Sequence, residues 1–287
     1  MSDLAADGLP RLAEVIRKHE IAAKKSMGQN FILDLSLTRR IAREASPLAG
    51  RTVMEIGPGP GGLTRALLAE GAEKVVAIER DDRCLAALAE VSRHYPGRLD
   101  VHGADALHAN YPALLGSIPG KAVIAANLPY GIATKLLIGW LETEPWPPWF
   151  DLMVLMFQRE VAERIVAEPG SKSYGRLAVI SQWRCKARIA MTLPPEAFTP
   201  PPKVSSAVVV FVPRPAPAPA CSVKSLGRVT AAAFGQRRKM LRQSLKSLTP
   251  MPELLLQAAD IDPELRAERL TVEQFATLAA LVDAKGL

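Results

Sequence analysis

The sequence has few cysteines, few aromatic residues and no long apolar run. Its 287 residues include only Cys84, Cys185 and Cys221, which form no CxxC pair. We therefore predict neither a metal site nor a disulfide framework. No run of about 18 apolar residues occurs, so no membrane span is expected. The N-terminal MSDLAADGLP lacks an apolar core, so we expect no secretory signal and a cytoplasmic protein.

Acidic residues are scarce between residues 171 and 248, although the whole chain carries a net charge of only +7. Residues 31–170 contain 14 basic and 17 acidic residues, whereas residues 171–214 contain 7 and 1. Residues 224–248 contain 7 basic residues and no acidic one. A basic flank on a near-neutral body is typical of proteins that bind a polyanion. The alternative is an ordinary solvated surface.

The first half of the chain alternates short apolar strands with helices. Strands are predicted at Thr52–Ile56, Lys74–Ile78, Leu99–His102, Lys121–Ala126 and Asp151–Phe157. Helices are predicted at Gly62–Ala69, Asp82–Val91 and Ile132–Leu141, with Asp81 or Asp82 as an N-cap. This alternation indicates an α/β fold with a doubly wound parallel sheet. Residues 185–191 and 206–212 indicate a late antiparallel pair.

A stretch of alternating proline and alanine, Pro213–Ala220, marks a predicted domain boundary. The chain after it has helical patterns and no strand signal. We predict a first domain at 1–214, a linker at 215–222 and a small helical domain at 223–287.

A glycine turn follows the first predicted strand. Gly57, Gly59 and Gly61 let the backbone approach a ligand closely, although a tight turn is the simpler explanation. The GxGxG spacing differs from the GxGxxG of dinucleotide folds, and no Lys-Ser/Thr pair follows it. Glu79 ends the next strand and Asp105 follows the third, at the sheet edge where such folds bind ligands. Together these features predict an adenosine-type cofactor, and S-adenosyl-L-methionine fits best.

The fourth predicted strand is followed by Asn127-Leu128-Pro129-Tyr130. Asn and Pro favour turns, so a tight strand-to-helix connection is one interpretation. The other is a pocket for a flat ligand that carries an amine.

Several motifs resemble the ribosomal RNA adenine dimethyltransferases. They are Lys25–Phe31 (KSMGQNF), Glu55–Gly59, Asn127–Tyr130, Pro194–Ser206 and Ala233–Leu245 (AFGQRRKMLRQSL). The resemblance implies a Rossmann-like class I methyltransferase sheet with a small all-α C-terminal domain. It also implies dimethylation of two adjacent adenosines in a hairpin near the 3′ end of 16S rRNA. Gly131, where the family often has Asn, and the extra Pro60 and Gly62 depart from the pattern.

The resemblance assigns roles to individual positions. Cofactor contacts are implied for Gln29, Asn30, Ile32, Gly57, Gly59, Glu79, Asp105 and Asn127. In the substrate pocket, Asn127 and the Leu128 carbonyl would accept hydrogen bonds from the adenine amine, and Pro129 would stiffen the turn. Tyr130 would stack on the flipped base, with Phe198 as a candidate for its other face.

A basic helix is predicted over residues 234–248. Phe234, Leu241, Leu245 and Leu248 share one face, and Arg238, Arg242 and Lys246 share another. Cations of this kind position an RNA backbone without reading its sequence. The predicted RNA-binding set is Lys24, Lys25, Lys203, Arg237, Arg238, Lys239, Arg242 and Lys246. Lys172, Arg176 and Arg184 are expected to add charge near the base pocket.

Other functions stay open from the sequence. They are a 23S rRNA adenine methyltransferase of the large subunit, a DNA adenine methyltransferase and a non-catalytic ribosome assembly factor. The favoured partner is a small ribosomal subunit precursor with its 16S rRNA, and a monomer is expected.

Overall fold

The computed structural model describes residues 5–23, 28–118 and 120–286. Within these residues seven strands form one sheet in the order β3-β2-β1-β4-β5-β7-β6. The strands are β1 (Thr52–Ile56), β2 (Lys74–Glu79), β3 (Leu99–Gly103), β4 (Ala122–Ala126), β5 (Phe150–Gln158), β6 (Cys185–Leu193) and β7 (Ser206–Pro213). Strands β1 to β5 pair in parallel, and β7 pairs antiparallel with β5. The predicted α/β sheet with a late antiparallel addition is confirmed.

The helix predicted at Gly62–Ala69 has those bounds, and the two predicted at Asp82–Val91 and Ile132–Leu141 are longer by three and two residues. The helices are α1 (Leu12–Lys18), α2 (Leu35–Arg43), α3 (Gly62–Ala69), α4 (Asp82–His94), α5 (Tyr111–Leu115), α6 (Tyr130–Leu141), α7 (Arg159–Ile165), α8 (Arg176–Arg184), α9 (Val223–Gly235), α10 (Leu241–Ser244), α11 (Pro252–Ala258) and α12 (Val272–Lys285). Of the two candidate caps, Asp81 is the N-cap of α4, where its carboxylate accepts from Arg83 N.

The central strands are apolar because both faces of the sheet are buried there. β1 (TVMEI) and β4 (AVIAA) are buried at every position. Strands buried on both faces show continuous apolar runs instead of alternation. One charged residue, Glu55, nevertheless lies in the middle of β1 and is 1% exposed.

Residue contacts divide the chain into two compact units, and the division differs from the predicted boundary at 214. The first unit contains the described residues of Met1–Trp140, Pro148–Arg159 and Ile189–Phe211. The second contains those of Leu141–Pro147, Glu160–Arg188 and Val212–Leu287. The reason lies in α8, because Val179 and Trp183 pack in one core with residues of α9 and α12.

The predicted continuous helix over 234–248 is wrong. α9 ends at Gly235, and the next helical turn begins at Leu241. The backbone between them pairs elsewhere: Met240 bridges Arg266, and Leu241 N donates to Leu265 O at 2.8 Å. The predicted apolar grouping still holds, because Leu241 and Leu245 are buried in the core of the second unit and Phe234 and Leu248 pack against it.

Arg184 is a structural residue buried in the second unit, whereas the sequence predicted that it adds charge near the base pocket. Its guanidinium carbon lies 4.3 Å from the ring centre of Trp146 and 4.5 Å from that of Trp183. A terminal nitrogen pairs with Glu144 at 2.5 Å. With the residue 2% exposed, its charge serves packing within the second unit.

Every helix within residues 5–23, 28–118 and 120–286 is too short or too polar to cross a bilayer.

A buried ion pair ties the N-terminal segment to α3 in the first unit. Arg65 donates to both carboxylate oxygens of Asp7 at 2.5 and 2.6 Å and to Pro10 O at 2.9 Å. The two side chains are 2% and 9% exposed. Burial raises the pKa of Asp7, but the hydrogen bonds and charge of Arg65 outweigh it, so the pKa lies below its ordinary value.

Replacing Arg65 by methionine should lower the free energy of unfolding by about 3 kcal/mol at pH 7, because Asp7 loses the partner of a buried charge. Arg43→Met is the matched control, since Arg43 pairs with Glu70 on the surface, where a pair contributes less than about 1 kcal/mol. Urea denaturation measures both losses, and equal losses would contradict the prediction.

The pH dependence of the Arg65→Met loss follows from the lowered pKa of Asp7. Its stabilising contribution is present above the unfolded pKa of 3.8 and disappears as the pH falls through the folded value. The difference in the free energy of unfolding between wild type and Arg65→Met should therefore become smaller in acid, and urea denaturation at low pH measures it.

Candidate active site

A cavity of about 700 Å³ lies in the first unit at the carboxyl edge of the sheet. Residues that follow β1, β2, β3 and β4 line it, together with residues 28–32. Open α/β sheets bind ligands at this edge. The volume falls within the range of roughly 300–1,000 Å³ that is usual for small-molecule sites.

The glycine turn after β1 needs glycine for its backbone and for its packing. Gly57 and Gly59 have φ values of 65° and 56°, in the left-handed region that favours glycine. A Cβ on Gly59 would lie 3.0 Å from Cε1 of Phe31. Both glycines line the cavity, as predicted for the cofactor side of the site.

The carboxylate of Glu79 holds this glycine turn through hydrogen bonds within the protein, without any ligand. Its Oε2 accepts from Gly59 N at 2.9 Å, and its Oε1 accepts from Arg80 N at 2.7 Å and Asp81 N at 2.8 Å. A carboxylate offers about four lone-pair sites, so about one remains for a ligand hydroxyl. Sequence reasoning predicted the ligand contact and missed the structural role.

Asp105 lies half-buried in the cavity wall after β3. Its Oδ1 accepts from Leu107 N at 3.0 Å and so caps the short 3₁₀ turn at 106–108. Tyr111 holds the same turn, because its hydroxyl donates to Ala106 O at 2.6 Å. The carboxylate is thereby held at the sheet edge, where sequence reasoning expected it.

The segment before α2 closes one side of the cavity with Gln29, Asn30 and Ile32. Gln29 Nε2 donates to Asp81 Oδ2 at 3.1 Å. The hydrogen bond from Arg83, supported by that from Gln29, lowers the pKa of Asp81 to about 2. The backbone of the segment also pairs with Thr199 through Phe31, at 3.0 and 2.8 Å.

Asn127 enters the cavity with its amide orientation fixed by a backbone carbonyl. Nδ2 donates to Asn30 O at 3.1 Å. A carbonyl oxygen only accepts, so the hydrogen-bond network assigns the NH₂ group to that side. The amide oxygen is therefore on the other side, as an acceptor. Leu128 and Pro129 line the cavity next to it.

Tyr130 lines the cavity, but Phe198 does not. Tyr130 begins α6, and its hydroxyl lies 2.5 Å from Ser206 Oγ. Phe198 is 3% exposed and belongs to the apolar core of the first unit. The structure thus does not bring Phe198 to the site, and its stacking role stays a prediction.

Four of the eight predicted RNA-binding cations are exposed. Lys24 and Lys25 lie outside the described residues. Lys203 is exposed in the first unit, and Arg238, Lys239 and Lys246 are exposed in the second. Arg237 donates to Lys172 O at 3.0 Å, and Arg242 lies 3.6 Å from Glu264, an acid distant in sequence.

Glu55 is a site residue to which sequence reasoning gave no role, although a lone acid within an apolar strand was a signal. It lines the cavity and is fully buried. Burial raises the pKa of Glu55 to about 8. The negative charge of Glu79 also raises it, whereas the hydrogen bond that Thr64 Oγ1 donates at 2.6 Å lowers it. The carboxyl is thus mainly protonated at neutral pH.

The groups around the cavity fit a nucleoside-bearing cofactor. The left-handed glycine turn keeps the backbone free of a Cβ at the cavity wall, Glu79 has acceptor capacity left, and Asp105 is held at the edge of β3. Apolar side chains such as Ile32 and Leu107 line the walls between them. This mixture of apolar wall and a few placed polar groups is usual for cofactor sites.

Comparison with known proteins identifies relatives along nearly the whole chain. Residues 21–284 match the family model described as ribosomal RNA adenine dimethylase. A protein of Xanthobacter autotrophicus named ribosomal RNA small subunit methyltransferase A is 62% identical over 275 residues, which are 96% of this chain and 94% of that protein. A protein of the same name from Mesorhizobium japonicum is 62% identical over 278 residues, 96% of this chain and 99% of its own.

Two solved structures share the fold. A dimethyladenosine transferase from Plasmodium falciparum superposes with a TM-score of 0.73 and 26% identity, over 87% of this chain and 96% of the other. The 23S rRNA methyltransferase ErmE gives a TM-score of 0.67 and 26% identity, over 88% of this chain and all of the other. The sheet is therefore a class I methyltransferase sheet, as the resemblance implied.

Replacing Glu55 by glutamine should raise the free energy of unfolding, by an amount on the order of 3 kcal/mol at pH 7. Because the pKa of Glu55 is raised in the folded state, the wild type loses stability as the pH rises from 4.5 to about 8. The Glu55→Gln protein cannot ionise there and should not lose this stability. Urea denaturation of both proteins across this pH range measures the difference in the free energy of unfolding.

Glu73→Gln, at an exposed glutamate, is the matched control and should keep the wild-type slope. A Glu55→Gln protein with the wild-type slope would contradict the raised pKa.

Proposed function

Because the chain belongs to the ribosomal RNA adenine dimethylase family, we propose that it methylates two adjacent adenosines in a hairpin near the 3′ end of 16S rRNA. Methyl groups pass from S-adenosyl-L-methionine to each N6 amine and give N6,N6-dimethyladenosine. The small-subunit methyltransferase name of relatives 62% identical supports a small-subunit precursor as the substrate. Such a substrate also supports action in the cytoplasm, and we propose a monomer.

The orientation of the Asn127 amide carries this proposal. One N–H of its NH₂ group is used by Asn30 O, so the amide oxygen lies on the other side and is offered to the cavity as an acceptor. An exocyclic adenine amine has two N–H donors and needs such acceptors. We propose that Asn127 Oδ1 and the Leu128 carbonyl receive them.

These two acceptors compensate for the weak nucleophilicity of the adenine amine. The lone pair of the amine is delocalised into the ring, which makes the nitrogen a poor nucleophile. Two acceptors fix the amine and favour a pyramidal nitrogen whose lone pair points at the methyl donor. Catalysis then comes mainly from positioning. No strong base is required, because the alkylated amine is acidic and loses its proton after transfer.

The cofactor side of the site is assigned to the residues around the glycine turn. We propose that Gly57 and Gly59 face the amino-acid end of the cofactor, Glu79 the ribose and Asp105 the adenine amine. Gln29, Asn30 and Ile32 cover it. When bound, the cofactor supplies an electrophilic methyl group on a sulfonium.

The exposed cations are proposed to hold the RNA backbone. Lys203 in the first unit and Arg238, Lys239 and Lys246 in the second are available for phosphate contacts. Arg237 and Arg242 keep donors beyond their protein contacts, because a guanidinium carries five N–H groups. Lys24 and Lys25 complete the proposed set.

Transfer of labelled methyl groups to isolated ribosomal particles tests the proposal. Small subunits that lack these methyl groups should gain label, recovered as dimethyladenosine after digestion to nucleosides. Large subunits and duplex DNA, treated in parallel, should gain none. Label in large subunits would overturn the substrate assignment, and cofactor binding without transfer would favour an assembly factor.

Asn127→Ala should lower the rate of methyl transfer roughly 100-fold or more, since a positioned polar contact to the reacting group is lost. It should weaken cofactor binding much less, because the other proposed cofactor contacts remain. Asn127→Asp should fail similarly, because a carboxylate oxygen would face Asn30 O. Single-turnover transfer and equilibrium dialysis measure the two effects. An active Asn127→Asp protein would contradict the assigned amide orientation.

A further inference from the structure

Ser206 contacts the substrate side of the site although it does not line the cavity. It is the first residue of β7, pairs with Gln158 of β5 and is 0% exposed. Its hydroxyl lies 2.5 Å from the hydroxyl of Tyr130, and either oxygen can be the donor. A fully buried hydroxyl is therefore used to hold the outer end of the Tyr130 side chain.

This contact fixes the ring of Tyr130 at both ends. The Cα is set by the first turn of α6, where the Pro129 carbonyl accepts from Ile132 N at 3.0 Å and Ala133 N at 3.1 Å. The phenol oxygen is set by β7. Burial raises the pKa of Tyr130, and the hydrogen bond between its hydroxyl and that of Ser206 opposes this only in part, so the phenol stays neutral at physiological pH. Rotation about the side-chain torsions would break the hydroxyl contact.

We propose that Ser206 is a positioning residue that keeps the Tyr130 ring in one orientation for stacking on the target adenine. The inference rests on the proposed function, because a stacked base is what the ring would meet. Prepositioned contacts of this kind lower the cost of reaching the reactive geometry.

The second methyl transfer should depend on this contact more than the first. An unmodified amine has two N–H groups for the two acceptors, Asn127 Oδ1 and the Leu128 carbonyl. After one methylation a single N–H remains, so hydrogen bonding holds the base less firmly. Stacking on Tyr130 then provides a larger share of the positioning.

A double-mutant cycle with Ser206→Ala and Tyr130→Phe tests the inference. Each change removes one partner of the same hydrogen bond and keeps the ring. Each should lower the second-transfer rate about three- to tenfold, the usual net effect of one hydrogen bond, and should raise the fraction of monomethyladenosine. The double variant should be no slower than either single one, and the KM for the cofactor should not change.

Ser181→Ala is the matched control, because Ser181 in α8 is also fully buried and its hydroxyl has no hydrogen-bond partner among the described residues. It should keep the wild-type ratio of products. Multiplicative losses in the double variant, a raised cofactor KM, or wild-type product ratios in both single variants would overturn the positioning role. A wild-type protein that forms no methyladenosine on small subunits would instead overturn the proposed function.

Discussion

The site depends on one carboxylate that accepts three backbone N–H groups. Glu79 ends β2 and binds the amides of Gly59, Arg80 and Asp81, so a single side chain joins the turn after β1 to the turn after β2. Backbone donors at the end of a strand need partners, and an ionised acceptor makes the stronger kind of hydrogen bond. The glycine turn keeps its left-handed conformation beside this carboxylate.

Two further hydrogen bonds connect Glu79 and its neighbours to the other walls of the cavity. The carboxylate of Asp81 accepts a hydrogen bond from the side chain of Gln29, and this contact holds residues 28–32 over the cavity. The carbonyl of Asn30 then orients Asn127, which lies 97 residues further along the chain. The cofactor side and the substrate side are thus connected through a backbone oxygen. A change at Glu79 would therefore act on both sides, although Glu79 is proposed to contact only the cofactor.

Local patterns in the sequence predicted the sheet, the glycine turn, the acids at the ends of β2 and β3, and the Asn127–Tyr130 corner. They failed where distant segments decide the structure. The helix expected over 234–248 is interrupted because Met240 and Leu241 pair with residues 265 and 266. The roles of Ser206 and the Asn30 carbonyl depend on contacts 76 and 97 residues apart, which no spacing encodes. The sequence predicted a helical domain at 223–287 but not that residues 141–147 and 160–188 belong to the same unit, because no linker-like composition marks where residues 160–188 begin and end.

That interrupted connectivity constrains how the protein is made and how it can be shortened. Tyr174, Val179 and Trp183 are synthesised about a hundred residues before their core partners Phe275 and Leu278. The second unit therefore cannot complete its core until those later residues have left the ribosome. For the same reason, a truncation after the proline–alanine stretch would not release a self-contained catalytic fragment, because it would leave the apolar face of α8 without its cover.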